Sequence, residues 1–154
     1  TAEGIVHRLW EPLDLKQKPP TSYAAKFSVP FGVALGLVRH QAALEDFTTA
    51  SINDPELLAI ASKVDFEIDP DNPYPAAFTG HIRIEYADGT IIEEEQDHMR
   101  GGAKEPLTRQ EINDKFRANL RFGQITDTES ILDVCDRIAA GDDDTTLLRE
   151  FAQA

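Results

Sequence analysis

Two residues in this chain are of types that could hold an anion, and their surroundings set them apart. Lys26 and Ser28 are the only polar side chains between Tyr23 and Arg39, within residues 19–38, which read PPTSYAAKFSVPFGVALGLV. The stretch opens with a proline pair that resists helix and closes with a long run of apolar and small residues that accepts it. A cation and a hydroxyl at the entrance of a buried helix suit a carboxylate. The ammonium would pair with it, while the hydroxyl and the first-turn amides donate hydrogen bonds. A purely structural account competes: Lys26 lays its stem along the surface and Ser28 caps the helix. On the residues alone, that second account ranks first.

Other chemistries find less support. The histidines, His7, His40, His81 and His98, are scattered, and no cysteine lies near any of them, so no zinc spacing is present and no metal site is expected. His81 and His98 could face each other across a hairpin as an exposed pair. Cys135 falls on the apolar side of a helical pattern and reads as a buried structural thiol rather than a nucleophile. No Gly-x-Ser-x-Gly occurs, and Gly101-Gly102-Ala103-Lys104 has neither the spacing nor the hydroxyl of a phosphate loop. The acidic runs at 93–95 and 142–144 read as a solvated strand face and a helix start, without calcium-loop spacing. No catalytic residue and no cofactor is expected within this chain.

A length of 154 residues with 41% hydrophobic content provides for a real core. Fifteen basic against twenty-eight acidic residues give a net charge of -13, which disfavours nucleic acid and anionic membrane surfaces as partners. An anionic substrate stays compatible if a few cations converge on one pocket. The single cysteine fits a reducing cytoplasm. No apolar run approaches the roughly 20 residues that span a bilayer, and the first residues lack a signal pattern. A first residue that is Thr rather than Met suggests a piece of something longer.

Around the Lys26–Ser28 stretch the expected elements are these. Residues 5–10 read as a short strand and 11–20, with three prolines, as a loop. Helix is favoured over 24–38, regular from about Pro30, with Gly32 and Gly36 on one face to allow close approach of a neighbour. Residues 44–52 connect to a helix started by Asn53-Asp54-Pro55, with Leu57, Leu58, Ile60 and Ala61 as its apolar face. Alternation at 64–68 predicts a half-buried strand, and 69–75 a loop. Residues 78–86 and 90–99 predict a hairpin turning at Asp88-Gly89. Ile82, Ile84 and Tyr86 share one face, His81, Arg83 and Glu85 the other, and Glu93, Glu95 and Asp97 crowd the solvent side of the returning strand. Gly101-Gly102 breaks it. Thr108 and Glu111 form a capping box, followed by Ile112, Phe116 and Leu120 at helical spacing. A second helix from about Thr128 carries Ile131, Leu132, Cys135 and Ile138, and a third, from 142, carries Leu147, Leu148 and Phe151. The class is α+β: a small, mainly antiparallel sheet with packed helices over 1–105, then a C-terminal helical tail over 106–154.

The motif Tyr23-x-Ala25-Lys26-Phe27-Ser28-x-Pro30, followed by Val33-Ala34, resembles the lid-domain motif of the MmgE/PrpD family, which includes 2-methylcitrate dehydratase and cis-aconitate decarboxylase. A second block, Gly101/Gly102-x-x-x-Pro106-Leu107-Thr108 with Glu111 and Lys115-Phe116, is similar to the family's glycine-x-proline-x-x-proline-leucine-serine/threonine segment. The resemblance runs from about Ile5 to Ala139. It implies the C-terminal lid portion of a lyase or isomerase acting on small di- or tricarboxylates, as in propionate catabolism, with the catalytic residues in a helical domain absent from this chain. Lys26, Ser28 and Phe31 would be the lid's substrate-binding contribution. Many relatives place a tyrosine where Phe31 stands, and Phe31 cannot supply its hydroxyl. The expected partners are therefore a carboxylate substrate, the missing helical domain or subunit, and further copies of the chain. A free-standing binding or regulatory module and one subunit of a split enzyme stand as alternatives.

Overall fold

Phe31, Ala34, Leu35 and Val38 recur at the three- and four-residue spacing that lines one side of a helix. They lie on a helix in the computed structural model, which describes residues 1–141 together with Thr146 and Arg149. The expected positions Leu147, Leu148 and Phe151 fall outside the described residues. The chain is α+β, with helices and a two-stranded antiparallel sheet. It divides into two compact units, Thr1–Pro106 and Leu107–Ala154.

In the first unit, three short α-helices precede the core-forming one. These are α1 (Val6–Leu9), α2 (Leu13–Gln17) and α3 (Ser22–Ala25), followed by α4 (Val29–Arg39), with α5 (Pro55–Ala61) packed on α4. Ala25, Phe31, Ala34, Leu35, Ile52, Leu57 and Ala61 are buried in one cluster, with Val38, Phe47 and Ile60 around it. Phe31, Leu35 and Leu57 are wholly buried, and each such side chain contributes roughly 1.5–3 kcal/mol. A polar tie reinforces the pair. Arg39, at the end of α4, donates to Ser51 (3.0 Å), to Asp54 (3.3 Å) and, at 3.5 Å, to the buried Asp46 carboxylate. Asp54 also caps α5, its carboxylate accepting from the Glu56 amide, with Pro55 in the first turn.

Several sequence expectations are corrected here. Residues 5–10 are helical, not a strand: Ala2, Val6 and Trp10 are the buried positions, four apart, which is helical spacing. Within 11–20, Pro12 occupies the N-cap of α2, so the proline that suggested a loop precedes a helix of five residues. Residues 64–68 do not join a sheet. Val64 and Phe66 are half-buried while Asp65 and Glu67 are exposed, but Ile68, which the alternation would also cover, is exposed. The backbone bonds go elsewhere, however: the Val64 carbonyl accepts from Gln17, the Glu67 carbonyl from the Thr1 nitrogen, and Phe66 packs its ring 5.1 Å from Trp10. Gly32 and Gly36 permit no close approach, because a Cβ at either would meet nothing within 4 Å.

The sheet is the hairpin β1 (Gly80–Glu85) and β2 (Ile91–Gln96), turning through Asp88-Gly89 with Gly89 at φ 84°. The left-handed backbone there is what glycine allows. Register sets Ile84 opposite Ile92, Arg83 opposite Glu93, and His81 opposite Glu95. His81 therefore faces Glu95 at 3.8 Å, not His98. Every residue of β2 is exposed, and Ile82 and Ile84 are half-buried.

The second unit contains α6 (Arg109–Phe122) and α7 (Thr128–Ala139). Thr108 and Glu111 form the expected capping box. Ile131, Leu132 and Val134 are buried, and Cys135 is half-buried rather than buried. Arg117 grips Glu129 through two bonds of 2.8 and 3.0 Å, which holds the Glu129 carboxyl below the usual range. Arg109 pairs with Asp136.

The open surroundings of Gly36, in the interior of α4, give a direct test. Gly36→Ala should raise unfolding free energy by about 0.5–1 kcal/mol, through the entropy that glycine loses in a helix. Urea denaturation checks this, and a loss of stability would place a close neighbour against that face.

Candidate functional site

The entrance of α4 is built from two turns that meet at residues 26–28. Thr21 caps α3, its hydroxyl accepting from the Ala24 amide at 3.0 Å. The chain then tightens: the Lys26 amide bonds the Tyr23 carbonyl, Phe27 that of Ala24, and Ser28 that of Ala25. Lys26 leaves this turn exposed, and its ammonium has no hydrogen bond or ion pair among the described residues. Ser28 is only 6% exposed and is the N-cap of α4.

The Ser28 hydroxyl is engaged on both sides. It accepts from the Phe31 amide at 3.0 Å and donates to the Lys16 carbonyl at 2.5 Å. Its proton is therefore already given to the protein. Of the other first-turn groups, Pro30 has no N–H and the Gly32 amide bonds the Ser28 carbonyl. Phe31 points into the core, wholly buried, with its ring 6.3 Å from Phe47. The structure thus brings Lys26 and Ser28 to one junction, with Lys26 facing solvent and Ser28 shaping the backbone. Phe31 stands behind them as packing.

Lys16 was not legible as part of this junction. Its ammonium, half-buried, donates to the carbonyls of Arg8 and of Phe27, the latter at 2.7 Å. Burial lowers its pKa below the ordinary lysine value. Both acceptors are backbone atoms, which no residue type announces.

Elsewhere, a shallow cavity of about 210 Å³ lies in the first unit against the Gly101-Gly102 turn, lined in part by Phe78, His98, Met99 and Lys104. A second, of about 450 Å³, opens in the second unit beside Arg117, Arg121 and Glu129. Among the described residues no three His, Cys, Asp or Glu side chains group closely enough to hold a metal ion. No helix among them is long and apolar enough to cross a membrane.

The model of the MmgE/PrpD C-terminal domain matches residues 5–137. This chain belongs to the MmgE/PrpD family. Cis-aconitate decarboxylase of Aspergillus terreus (strain NIH 2624 / FGSC A1156) is 31% identical over 142 residues, covering 88% of this chain and 27% of the relative. The mouse cis-aconitate decarboxylase is 29% identical over 134 residues, covering 85% and 27%. The human one is 28% identical over 102 residues, covering 66% and 21%. The chain therefore spans about a quarter of the length of the curated relatives it matches. Its two family-like motif blocks fall at the entrance of α4 and at the turn and cap that lead into α6.

The two polar residues of the entrance should separate cleanly in stability. Ser28→Ala removes a cap and leaves the buried Phe31 amide and the part-buried Lys16 carbonyl without their partner, a loss of about 2 kcal/mol. Lys26→Ala, at an exposed position with no partner among the described residues, should stay within about 0.5 kcal/mol of the parent chain. Urea denaturation of both variants checks the contrast, and equal losses would contradict the assigned geometry.

Proposed function

We propose that this chain is the lid portion of an MmgE/PrpD lyase or isomerase that acts on a small di- or tricarboxylate. The observation behind this reading is the match of residues 5–137 to the family's C-terminal domain, within relatives named for cis-aconitate, a tricarboxylate. In this reading Lys26 supplies the cation that meets a substrate carboxylate, Ser28 holds the backbone from which Lys26 projects, and Phe31 anchors that backbone in the core. The remaining acid–base groups come from the helical part of the family fold, so the chain alone is inactive.

Charge does not stand against this. A carboxylate at Lys26 meets the ammonium directly, whereas charges beyond about 8–10 Å are largely screened at physiological salt. A local contact therefore outweighs a net charge of -13 spread over the surface. The exposed faces of the hairpin favour the lid or split-subunit reading over a free-standing module, because an isolated two-stranded ribbon is marginal in water. The helical part of the family fold, in the same protein or in a partner subunit, would cover it. Homo-oligomerisation of the assembled enzyme belongs to the same proposal.

Melting temperature against citrate, cis-aconitate, 2-methylcitrate, itaconate and aspartate, with Lys26→Ala beside the parent chain, tests this. A ligand at 100 times its Kd stabilises by about 2.7 kcal/mol, a readily measured rise. The expected result is a rise with the tricarboxylates that disappears in the variant, and no release of CO2 or water from any of them. No rise with any acid, or a rise that survives Lys26→Ala, would remove Lys26 from the substrate's path. Steady turnover by the chain alone would refute its inactivity.

A further inference from the structure

We infer that Lys16 is the positioning residue for the carboxylate-binding junction at Lys26–Ser28, an inference that rests on the function proposed above. Two consecutive residues of the junction are bonded to it in opposite senses. The Phe27 carbonyl accepts from the Lys16 ammonium, and the Ser28 hydroxyl donates to the Lys16 carbonyl. The same ammonium reaches back to the Arg8 carbonyl, in the helix α1. One side chain and one carbonyl thus tie α1, α2 and the start of α4 together, directly after Lys26.

Lys16 lies on a helix of only five residues, too short to hold its own shape, and its N-cap Pro12 provides no side-chain bond. The ammonium is only partly withdrawn from water, and an apolar residue in its place would leave the Arg8 and Phe27 carbonyls without its hydrogen bonds. What an apolar residue cannot do is fix the orientation of the Phe27 carbonyl, and with it the peptide that follows Lys26. Lys16 itself touches no substrate in this scheme. It sets the direction from which Lys26 does.

The test uses the ¹⁵N-labelled 154-residue chain with Lys16→Met, Lys16→Arg and Lys26→Ala, citrate being the probe. Amide shifts of Phe27, Ser28 and Phe31 report the junction, and those of Leu57 and Ala61 report the core. The Met variant should move the junction amides, leave the core amides in place and weaken citrate at least fivefold. The Arg variant, which can still donate to both carbonyls, should restore binding to within about twofold. Citrate binding that needs Lys26 but is unchanged in Lys16→Met would overturn the inference while leaving the proposed function intact. Binding that is absent from the parent chain, or indifferent to Lys26→Ala, would overturn both. Should the Met variant fail to fold, reductive methylation of the parent chain, read by mass spectrometry, decides. Citrate should alter the rate at Lys16 and not at the exposed Lys18, and an unaltered Lys16 rate would overturn the inference.

Discussion

The direction in which α4 leaves its first turn rests on one hydroxyl. Ser28 accepts from the Phe31 amide and donates to the Lys16 carbonyl, so the cap of the helix and its tie to the preceding chain are the same atom. Everything downstream inherits that geometry. Phe31, Ala34 and Leu35 reach the core because the helix starts where Ser28 starts it, and α5 packs on the face they present. Everything upstream inherits it as well, since Lys26 and Phe27 fill the short gap between α3 and the cap. Local hydrogen bonding and core packing are therefore one constraint at this junction.

Much of this was readable from residue types, because the signals were local. Ser28 before an apolar run with Pro30, Asn53-Asp54-Pro55, Thr108 with Glu111, and Asp88-Gly89 each specify their own backbone within four residues, and each forms the element it suggests. The failures share a different cause. At 5–10, buried positions four apart were hidden by neighbouring apolar residues that are only partly buried, so a short helix passed for a strand. At 64–67 the alternation holds, with Ile68 exposed beyond it, yet alternation describes which side chains are covered and says nothing about what the backbone bonds to. There the partners are a glutamine side chain and the Thr1 nitrogen.

The site divides along the same line. Lys26 stood out because a lone cation within apolar surroundings is conspicuous, and Ser28 because caps have a signature. Lys16 was invisible because its role is expressed towards carbonyl oxygens, which every residue carries. Phe31 was marked only by comparison with tyrosine in relatives. Its place is set by the spacing that also buries Leu35, and a wholly buried ring offers its surroundings shape rather than chemistry.

The hairpin has two unlike sides: isoleucines at 82, 84 and 92 on one, and the Arg83–Glu93 and His81–Glu95 pairs on the other. Exposed contacts of this kind add little to stability, and the isoleucine side is incompletely covered, so little free energy separates the paired ribbon from an open one. Its amides should trade their hydrogens with water long before those of α4 and α5 do. Heating the chain then reports the helical core, and the ribbon has already let go by the time that core melts.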